Sequence, residues 1–355
     1  MEFGLSEEQT LLQDSINRFL DEQAPLQRVR LFAETPDYTD IWQGLTELGI
    51  PALLIPENAG GVGLGTLEAA LVAEALGNHT TPVPFLGSAV MAPRALALAG
   101  GNFAELLGQI AAGATTVGIA VGETIAARDN AGVTGDGSKL DGKALFVLDF
   151  DADLYLVADS DHRLYLVERE AKGLSRTDLE TVDKTRPTGE LKFDKTPATL
   201  LSEDPEVLAQ VIDIGRVMLA ADTLGAAQNM LDQAVAYAKE REQFNRPIGS
   251  FQAVKHMCAE MVAGLEPCRA LVWYAAYAID NVPADARLTA CHSKAHCAEV
   301  GAFVAKTATE VHGGMGFTDL VGLHYWFKRI GYNRQMLGAP ELVREEAARV
   351  QNLVI

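Results

Sequence analysis

Positive charge is scarce in this sequence. Lys and Arg number 29 against 48 Asp and Glu, which leaves a formal net charge of −19 at pH 7. A chain with this balance repels nucleic-acid phosphates and anionic membrane surfaces. Nucleic-acid binding is therefore excluded as a general role, and any anionic ligand must meet a local basic patch.

Cysteine and long apolar runs are also scarce. The longest apolar runs, such as residues 69–75 with Glu74 inside them, fall well short of the roughly 18 residues that a membrane helix needs. We therefore expect no membrane insertion. No stretch has the order of charged, apolar and small residues that marks a signal peptide. The few thiols suit a reduced state and a cytoplasmic location; they are Cys258, Cys268, Cys291 and Cys297.

The sequence is long and apolar enough for a compact multidomain protein. Its 355 residues, 48% of them hydrophobic, exceed what one small core organises and predict two or three packed units. Helical periodicity fills residues 1–114, short β-type runs fill 115–203, and helical periodicity returns over 204–355. The predicted fold class is therefore α+β multidomain, with an N-terminal helical domain, a middle antiparallel β domain and a C-terminal four-helix bundle.

Local signals support these three domains. Ser6 and Gln9 make a capping box at the start of the first helix. The clearest strand signals in the middle region are four apolar runs, at 117–121, 145–148, 154–157 and 164–167. One helix of the C-terminal bundle carries an apolar stripe made of Val254, Met257, Cys258, Met261 and Leu265.

The segment 241–252 joins two long predicted helices and carries the first functional motif. It contains Arg241 and Arg246, the flat ring of Phe244, and the amide of Gln252. Guanidinium groups bind phosphate and an aromatic ring can stack on a base, so the set suits a phosphorylated aromatic ligand. The alternative is an ordinary loop with solvated charges.

A second motif follows at residues 311–319, where three glycines interrupt a later helix after His312. Glycine lets backbone N–H groups approach an anion closely. A helix C-cap followed by a tight turn explains the same spacing without any ligand.

These two motifs, behind a helical first third and a β-rich middle, resemble the acyl-CoA dehydrogenase family. The opening Phe3–Gln9 is similar to the start of that family, and residues 56–64 are similar to a loop of its first domain. The resemblance spans essentially the whole chain. It implies a three-domain fold that binds FAD at a subunit interface and oxidises the α,β-bond of an acyl-CoA thioester, with electron-transfer flavoprotein as electron acceptor.

The resemblance also implies a catalytic base, but this chain has none at either usual position. In similar proteins a glutamate takes the α-proton on the substrate face opposite the flavin. Its more frequent position corresponds to Leu337 and its second position to Gly215, on the first helix of the bundle. Neither residue has an ionisable side chain, so we predict no catalytic residue there.

The middle domain departs from the family as well. Of the loop that binds the flavin ring, only residues 122–124 are similar, and residues 125–129 lack its glycines. The aromatic-hydroxyl contact that should come later is replaced by residues 146–149. We therefore expect a degraded flavin-ring pocket in this chain.

Residues that would hold the ADP end of a neighbour's FAD are retained. By resemblance, Arg241 pairs with the pyrophosphate, Phe244 packs beside the adenine, and Gln252 hydrogen-bonds the ADP moiety. Two glycines of the second motif would offer backbone N–H groups to the phosphates. The candidate cofactor-binding residues are thus Arg241, Phe244, Gln252, Gly313 and Gly314.

Loss of the base and the ring pocket, beside retention of these contacts, predicts one subunit of a heteromeric acyl-CoA dehydrogenase of bacterial type. The partner is a second acyl-CoA dehydrogenase subunit, in a heterodimer or heterotetramer, and the acyl group could be bulky, such as a steroid side chain. Two alternatives stay open. One is a self-sufficient homomeric enzyme with a displaced base such as Asp213, and the other is a flavin-free structural subunit.

Charged residues near the C-terminus are interpreted as structural. Glu341 and Glu345 are expected to be solvated or paired rather than catalytic. Lys328, Arg329 and Arg334 suit an anion-facing edge or, in the preferred interpretation, a solvated helix face.

A metal site is disfavoured. His292 and His296 share a helix face, and Cys291 and Cys297 flank them in sequence. Each cysteine, however, falls roughly 100° around the helix from the adjacent histidine. Four ligands therefore do not converge from this one helix, and we expect no bound metal.

Overall fold

The computed structural model describes residues 4–126 and 128–354. Phe3, in the opening segment quoted above, and Ala127, in the altered flavin-ring loop, lie outside the described residues. The described chain runs through a helical stretch, a β-sheet stretch and a second helical stretch, in agreement with the predicted fold class. The boundaries at 114/115 and 203/204 stay predictions.

The first stretch is helical, as the sequence predicts. Ser6 Oγ accepts from the backbone N–H of Gln9 at 3.1 Å, and Gln9 Oε1 accepts from the N–H of Ser6 at 2.9 Å, which confirms the capping box. The helices are α1 (Glu7–Gln23), α2 (Leu26–Glu34), α3 (Thr39–Glu47), α4 (Thr66–Asn78), α5 (Ala92–Ala99) and α6 (Ala104–Ala111).

The second stretch folds into one sheet with the strand order β6-β7-β3-β1-β4-β5-β8, and β2 pairs with β3 at the side of this path. The strands are β1 (Val117–Ala120), β2 (Gly132–Gly135), β3 (Lys139–Leu148), β4 (Leu154–Ala158), β5 (Leu164–Glu168), β6 (Leu174–Asp178), β7 (Thr188–Pro197) and β8 (Thr199–Ser202). All pairs are antiparallel except β1 with β4, which is parallel. Tyr155, Tyr165 and Phe150 lie in the core of this sheet, each at most 1% exposed.

All four predicted strand runs lie in or overlap observed strands, namely β1, β3, β4 and β5. The more polar strands escape detection, because β6 and β7 mix exposed and buried positions rather than forming apolar runs. Such strands give only a weak hydrophobic signal in the sequence.

The third stretch contains α7 (Pro205–Glu240), α8 (Gln252–Asn281), α9 (Pro283–His312), α10 (Leu323–Gln335) and α11 (Pro340–Val350). Five helices stand where the sequence predicts a four-helix bundle. The extra break separates α10 from α11, where Leu337 and Gly338 adopt φ values of 53° and 105° that end the helical path. A single residue, Val282, joins α8 to α9, and the two helices pack together.

Backbone proximity divides the chain into two compact units. One comprises the described parts of Met1–Ala33, Ala70–Thr81 and Arg216–Ile355, and the other comprises Glu34–Ala69 and Pro82–Gly215. Among the described helices, none combines the length and the apolar run that a bilayer crossing needs.

Candidate cofactor-binding site

The first motif forms a β-hairpin at the end of α7. Its strands are β9 (Glu242–Gln243) and β10 (Arg246–Pro247), which pair antiparallel. The two-residue loop between them is Phe244-Asn245, with φ values of 52° and 61°. Positive φ at both loop residues is typical of a type I′ turn, in which Asn is common and Phe is a genuine outlier. Strain of this kind often marks a functional residue.

Phe244 presents its ring to solvent. The residue is 88% exposed, and its ring meets that of Phe251 edge-on, with centroids 6.1 Å apart. The guanidinium carbon of Arg246 lies 3.9 Å from the Phe251 ring centroid, so Arg246 is engaged in a cation–π contact within the hairpin. Arg241 is exposed and forms no ion pair with any described residue. Of the two predicted cations, Arg241 is therefore the one available to a ligand.

The hairpin is anchored to the end of α7. The backbone N–H of Ile248 donates to the carbonyl of Arg241 at 2.7 Å. Gly249 packs so closely that a Cβ at this position would lie 2.8 Å from the carbonyl oxygen of Ala238. The strained loop is thus held in a defined position relative to its helix.

The second motif is brought to the same end of α7 by an aromatic stack. The rings of His312 and Tyr237 lie 4.6 Å apart with an interplanar angle of 26°. His312 Nδ1 also hydrogen-bonds the carbonyl of Ala308 at 2.8 Å, and burial lowers the pKa of His312. Burial thus favours the uncharged form of this ring. Because Tyr237 precedes Arg241 by one helical turn, the stack places the two predicted motifs side by side.

The glycines of the second motif leave open backbone surface. A Cβ built on Gly313 or Gly314 would meet no atom within 4 Å, whereas a Cβ on Gly316 would lie 2.7 Å from the carbonyl oxygen of Thr309. The N–H of Gly313 donates to the carbonyl of Glu310 as part of the helix end. Gly313 therefore provides room for close approach, and its own N–H serves the helix cap.

Apolar side chains around both motifs are poorly covered. Phe317 and Leu320 are 82% and 75% exposed. On α8, the predicted stripe is buried at Met261 and Leu265, but its first three members, Val254, Met257 and Cys258, are only half-buried. Gln252 is exposed at the first position of the same helix. Exposed apolar surface of this extent is typical of a protein interface.

These residue types fit the ADP end of FAD. An exposed guanidinium suits a pyrophosphate, an exposed ring suits an adenine, and open glycine backbone admits both at close range. All of them lie in the compact unit that contains α8 and α9. These residues would contact the pyrophosphate and the adenine, and none of them is assigned to the flavin ring.

The two positions where a base is expected carry no carboxylate. Gly215 lies within α7. Leu337 is 5% exposed, and its φ of 53° is unusual for leucine. An apolar side chain is therefore enclosed at the position where the resemblance predicts the usual base.

The backbone around Leu337 is held by two buried basic side chains, whose burial the sequence does not reveal. Arg216 Nε donates to the carbonyl of Leu337 at 3.0 Å, and Arg216 Nη2 pairs with Glu346 at 2.8 Å. Lys294 Nζ donates to the carbonyl of Gly338 at 3.1 Å. Arg216 and Lys294 are 2% and 1% exposed.

Other carboxylates that were considered as bases have different surroundings. Asp213 is 4% exposed within α7. Glu341 pairs with Arg334 at 3.1 Å, and Glu345 pairs with Arg349, in accordance with the structural interpretation of both glutamates. A hydrogen bond from its own backbone N–H, aided by Arg334, holds the pKa of Glu341 below its usual value.

In the turn at residues 122–124, the polar side chains form hydrogen bonds with nearby residues of the same chain. The Glu123 side chain, 5% exposed, accepts from Arg128 Nη1 at 3.0 Å and from the N–H of Leu145 at 3.2 Å. The hydroxyl of Thr124 donates to the carbonyl of Val121 at 2.8 Å. The guanidinium carbon of Arg128 lies 4.9 Å from the ring centroid of Phe146. The side chains of Glu123 and Thr124 are therefore engaged within the chain.

The Cys/His cluster of α9 is divided between buried and exposed positions. His292 and His296 are exposed while Cys291 and Cys297 are buried, so the histidines and the cysteines lie on different faces of α9. No described group of at least three potential ligands could hold a metal ion.

Arg329 on α10 is not on a solvated face: it is 2% exposed and pairs with Asp222 through Nε at 3.0 Å and Nη2 at 2.9 Å.

Comparison with known protein families matches two parts of this chain, one on either side of the β-sheet stretch. The family described as "Acyl-CoA dehydrogenase, C-terminal domain" matches residues 206–351, and "Acyl-CoA dehydrogenase, N-terminal domain" matches residues 6–103. Acyl-CoA dehydrogenase IpdE2 of Mycolicibacterium smegmatis is 30% identical over 351 residues, covering 98% of this chain and 99% of the relative.

Two solved structures are similar over nearly the whole chain. One, described as a variant of the "Tcur3481-Tcur3483 steroid ACAD", has a TM-score of 0.89 and 30% identity and covers 98% of both chains. The other is the ChsE4-ChsE5 complex from Mycobacterium tuberculosis, with a TM-score of 0.90, 27% identity and 100% coverage of both chains.

The fold and the two family matches together define the class of protein. This chain belongs to the acyl-CoA dehydrogenase family. Members of the family are flavin-dependent oxidoreductases that bind FAD.

Proposed function

We propose that this chain is the non-catalytic half of a heteromeric acyl-CoA dehydrogenase. In this role it closes the FAD site of a catalytic partner from outside. The observation that carries the proposal is the contrast between two places in the molecule. Leu337, enclosed at 5% exposure, stands where a base is needed, whereas Phe244, 88% exposed, stands on a strained and anchored hairpin.

The hairpin residues would act on the ADP end of the partner's FAD. Arg241 would neutralise the pyrophosphate, and Phe244 would cover the adenine. Gln252 would hydrogen-bond the ADP moiety, while Gly313 and Gly314 allow close approach of the backbone. The chemistry that FAD supplies when bound is acceptance of hydride from the β-carbon of the thioester. The base that removes the α-proton would come from the partner.

The partner would be a second acyl-CoA dehydrogenase chain. Support comes from the two similar structures, each named after a pair of chains. A half-covered apolar stripe on α8 beside the hairpin provides a surface that a second chain can bury. A steroid thioester is the proposed substrate class, because one of these structures is described as a steroid ACAD. Electron-transfer flavoprotein is the expected electron acceptor by family resemblance.

We also propose that the complex works in the cytoplasm. None of the four cysteines, Cys258, Cys268, Cys291 and Cys297, forms a disulfide in the structure. Cysteines without disulfides are typical of a reducing compartment.

The experiment compares flavin content with and without the partner. The chain is purified alone and together with an acyl-CoA dehydrogenase chain encoded beside it, and flavin absorbance and acyl-CoA oxidation are measured. We expect flavin and activity in the complex and neither in the single chain. Stoichiometric flavin with full turnover from the single chain would instead support a homomeric enzyme with a displaced base such as Asp213.

Arg241→Ala distinguishes the remaining alternative. The substitution should reduce flavin retention in the complex about tenfold or more, because a charge-assisted bond to phosphate is worth about 1.5–3 kcal/mol. Arg349→Ala is the matched control, since Arg349 is exposed and pairs only locally with Glu345. A colourless complex that is unaffected by Arg241→Ala would indicate a flavin-free structural subunit.

A further inference from the structure

Lys294 is a buried amine with a small and specific set of partners. It is 1% exposed on α9, and its Nζ donates to the carbonyl of Arg334 at 3.2 Å and to that of Gly338 at 3.1 Å. Among the described residues, no carboxylate forms an ion pair with it. A buried ammonium without a counter-ion is costly.

The charges that face Lys294 from neighbouring helices increase this cost. Arg216 approaches from α7 and Arg334 from α10, and both are cationic. The nearby carboxylates of α11 are engaged elsewhere, Glu346 with Arg216 at 2.8 Å and Glu341 with Arg334 at 3.1 Å. On its own helix the buried thiol of Cys297 acts on Lys294 and hydrogen-bonds Cys268 of α8. The buried thiol of Cys291, one turn earlier, accepts from Arg216 Nη1 at 3.5 Å. Burial, followed by the two arginines, lowers the pKa of Lys294 to about 7.

Lys294 and Arg216 both hydrogen-bond the backbone of the same turn. The turn connects α10 to α11 and includes two consecutive residues with positive φ, Leu337 and Gly338. Three of its carbonyls accept hydrogen bonds from the two basic side chains: that of Leu337 from Arg216 Nε at 3.0 Å, and those of residues 334 and 338 from Lys294. Without these donors, the turn would leave buried carbonyls unpaired.

We propose that Lys294 is a positioning residue that holds the turn at residues 334–338 in a proton-dependent manner. The neutral amine has two N–H groups, which match the two carbonyls that it contacts. A third proton would add a charge beside Arg216 and Arg334, with no described carboxylate to receive it. Protonation therefore loosens the turn and the start of α11. This inference does not depend on the proposed heteromeric function.

The direction of the pH effect follows from linkage. When the turn opens and Lys294 reaches water, its pKa returns from about 7 to the ordinary 10.5, so the open state binds more protons. The closed state is thus favoured as pH rises across this window. Between pH 6 and pH 8 the opening constant should fall about tenfold from this group alone.

Hydrogen exchange of the backbone amides tests the proposal without any variant. Exchange of peptides covering residues 334–343 is followed at pH 6 and pH 8 by mass spectrometry and corrected for the intrinsic exchange rate. We expect protection in the wild type to rise about tenfold at pH 8, while peptides from α1 change much less. A wild-type turn whose protection is equal at both pH values would overturn the proposal.

Two substitutions then assign the effect to Lys294. Lys294→Gln keeps an N–H donor without titrating near neutral pH, and Lys294→Met removes both the donor and the charge. The pH dependence of protection should disappear in either variant, including in Lys294→Gln if Lys294→Met folds poorly. If the tenfold change persists in Lys294→Gln, another group is responsible and the proposal is wrong.

Discussion

Phe244→Asn should weaken flavin binding in the complex without destabilising the single chain. A side chain in the left-handed region costs about 1 kcal/mol or more, and Asn tolerates that region better than Phe. Phe244 has a φ of 52° and is 88% exposed, so the substitution relieves strain and removes little buried surface. Its edge-on contact with Phe251 is the main loss, worth about 0.5 kcal/mol at such an exposed site. The unfolding free energy of the single chain should therefore stay within about 0.5 kcal/mol of the wild type or rise.

In the complex the same change removes a ring that would be buried. Full burial of a phenylalanine side chain stabilises by about 1.5–3 kcal/mol. Flavin affinity or subunit affinity should therefore fall about 10- to 100-fold.

Two measurements check this prediction: urea denaturation of the single chain and flavin titration of the complex. Leu11→Gln is the matched control, because Leu11 is also an exposed apolar residue, at 65%, and lies on α1. It should leave flavin binding unchanged. The reasoning is refuted if Phe244→Asn destabilises the single chain by more than about 1 kcal/mol while flavin affinity stays at the wild-type value, since the ring would then be a packing element of its own chain.

Two further predictions concern stability. Asp222→Asn should cost about 3–5 kcal/mol in urea denaturation, because it leaves the buried guanidinium of Arg329 without its counter-ion. Arg344→Ala breaks the exposed pair with Glu299 and should cost less than about 1 kcal/mol; similar losses for both variants would contradict the difference in burial. Gly316→Ala should cost about 1–3 kcal/mol, because the added Cβ would lie 2.7 Å from the carbonyl oxygen of Thr309. Gly314→Ala meets open space and should leave thermal stability nearly unchanged while weakening flavin binding in the complex, and a large stability loss at Gly314 would argue against the open glycine surface.

Features that depend on neighbouring residues in the chain could be predicted from the sequence. The capping box of Ser6 and Gln9 forms as expected, because both hydrogen bonds join residues three positions apart. The apolar runs at 154–157 and 164–167 become the paired strands β4 and β5. The hairpin motif was also visible, since its turn residues and charges are contiguous.

Features that depend on distant residues could not be predicted. The sequence favours a solvated Arg329, yet this residue pairs with Asp222, 107 positions earlier in the chain. Two other interactions also join residues far apart in the chain. Tyr237 stacks on His312, and Lys294 hydrogen-bonds the turn at residues 334–338. Periodicity identifies the face on which such a side chain lies but not which partner packs against it.

The sequence alone determines that the two expected base positions carry Leu337 and Gly215, because the presence of an ionisable group is a matter of residue identity. Only the tertiary structure decides that Leu337 is enclosed, that Phe244 is exposed on a strained loop, and that Lys294 is buried between two arginines. Burial and electrostatic environment arise from packing between elements far apart in the chain, so they are properties of the fold rather than of any local segment.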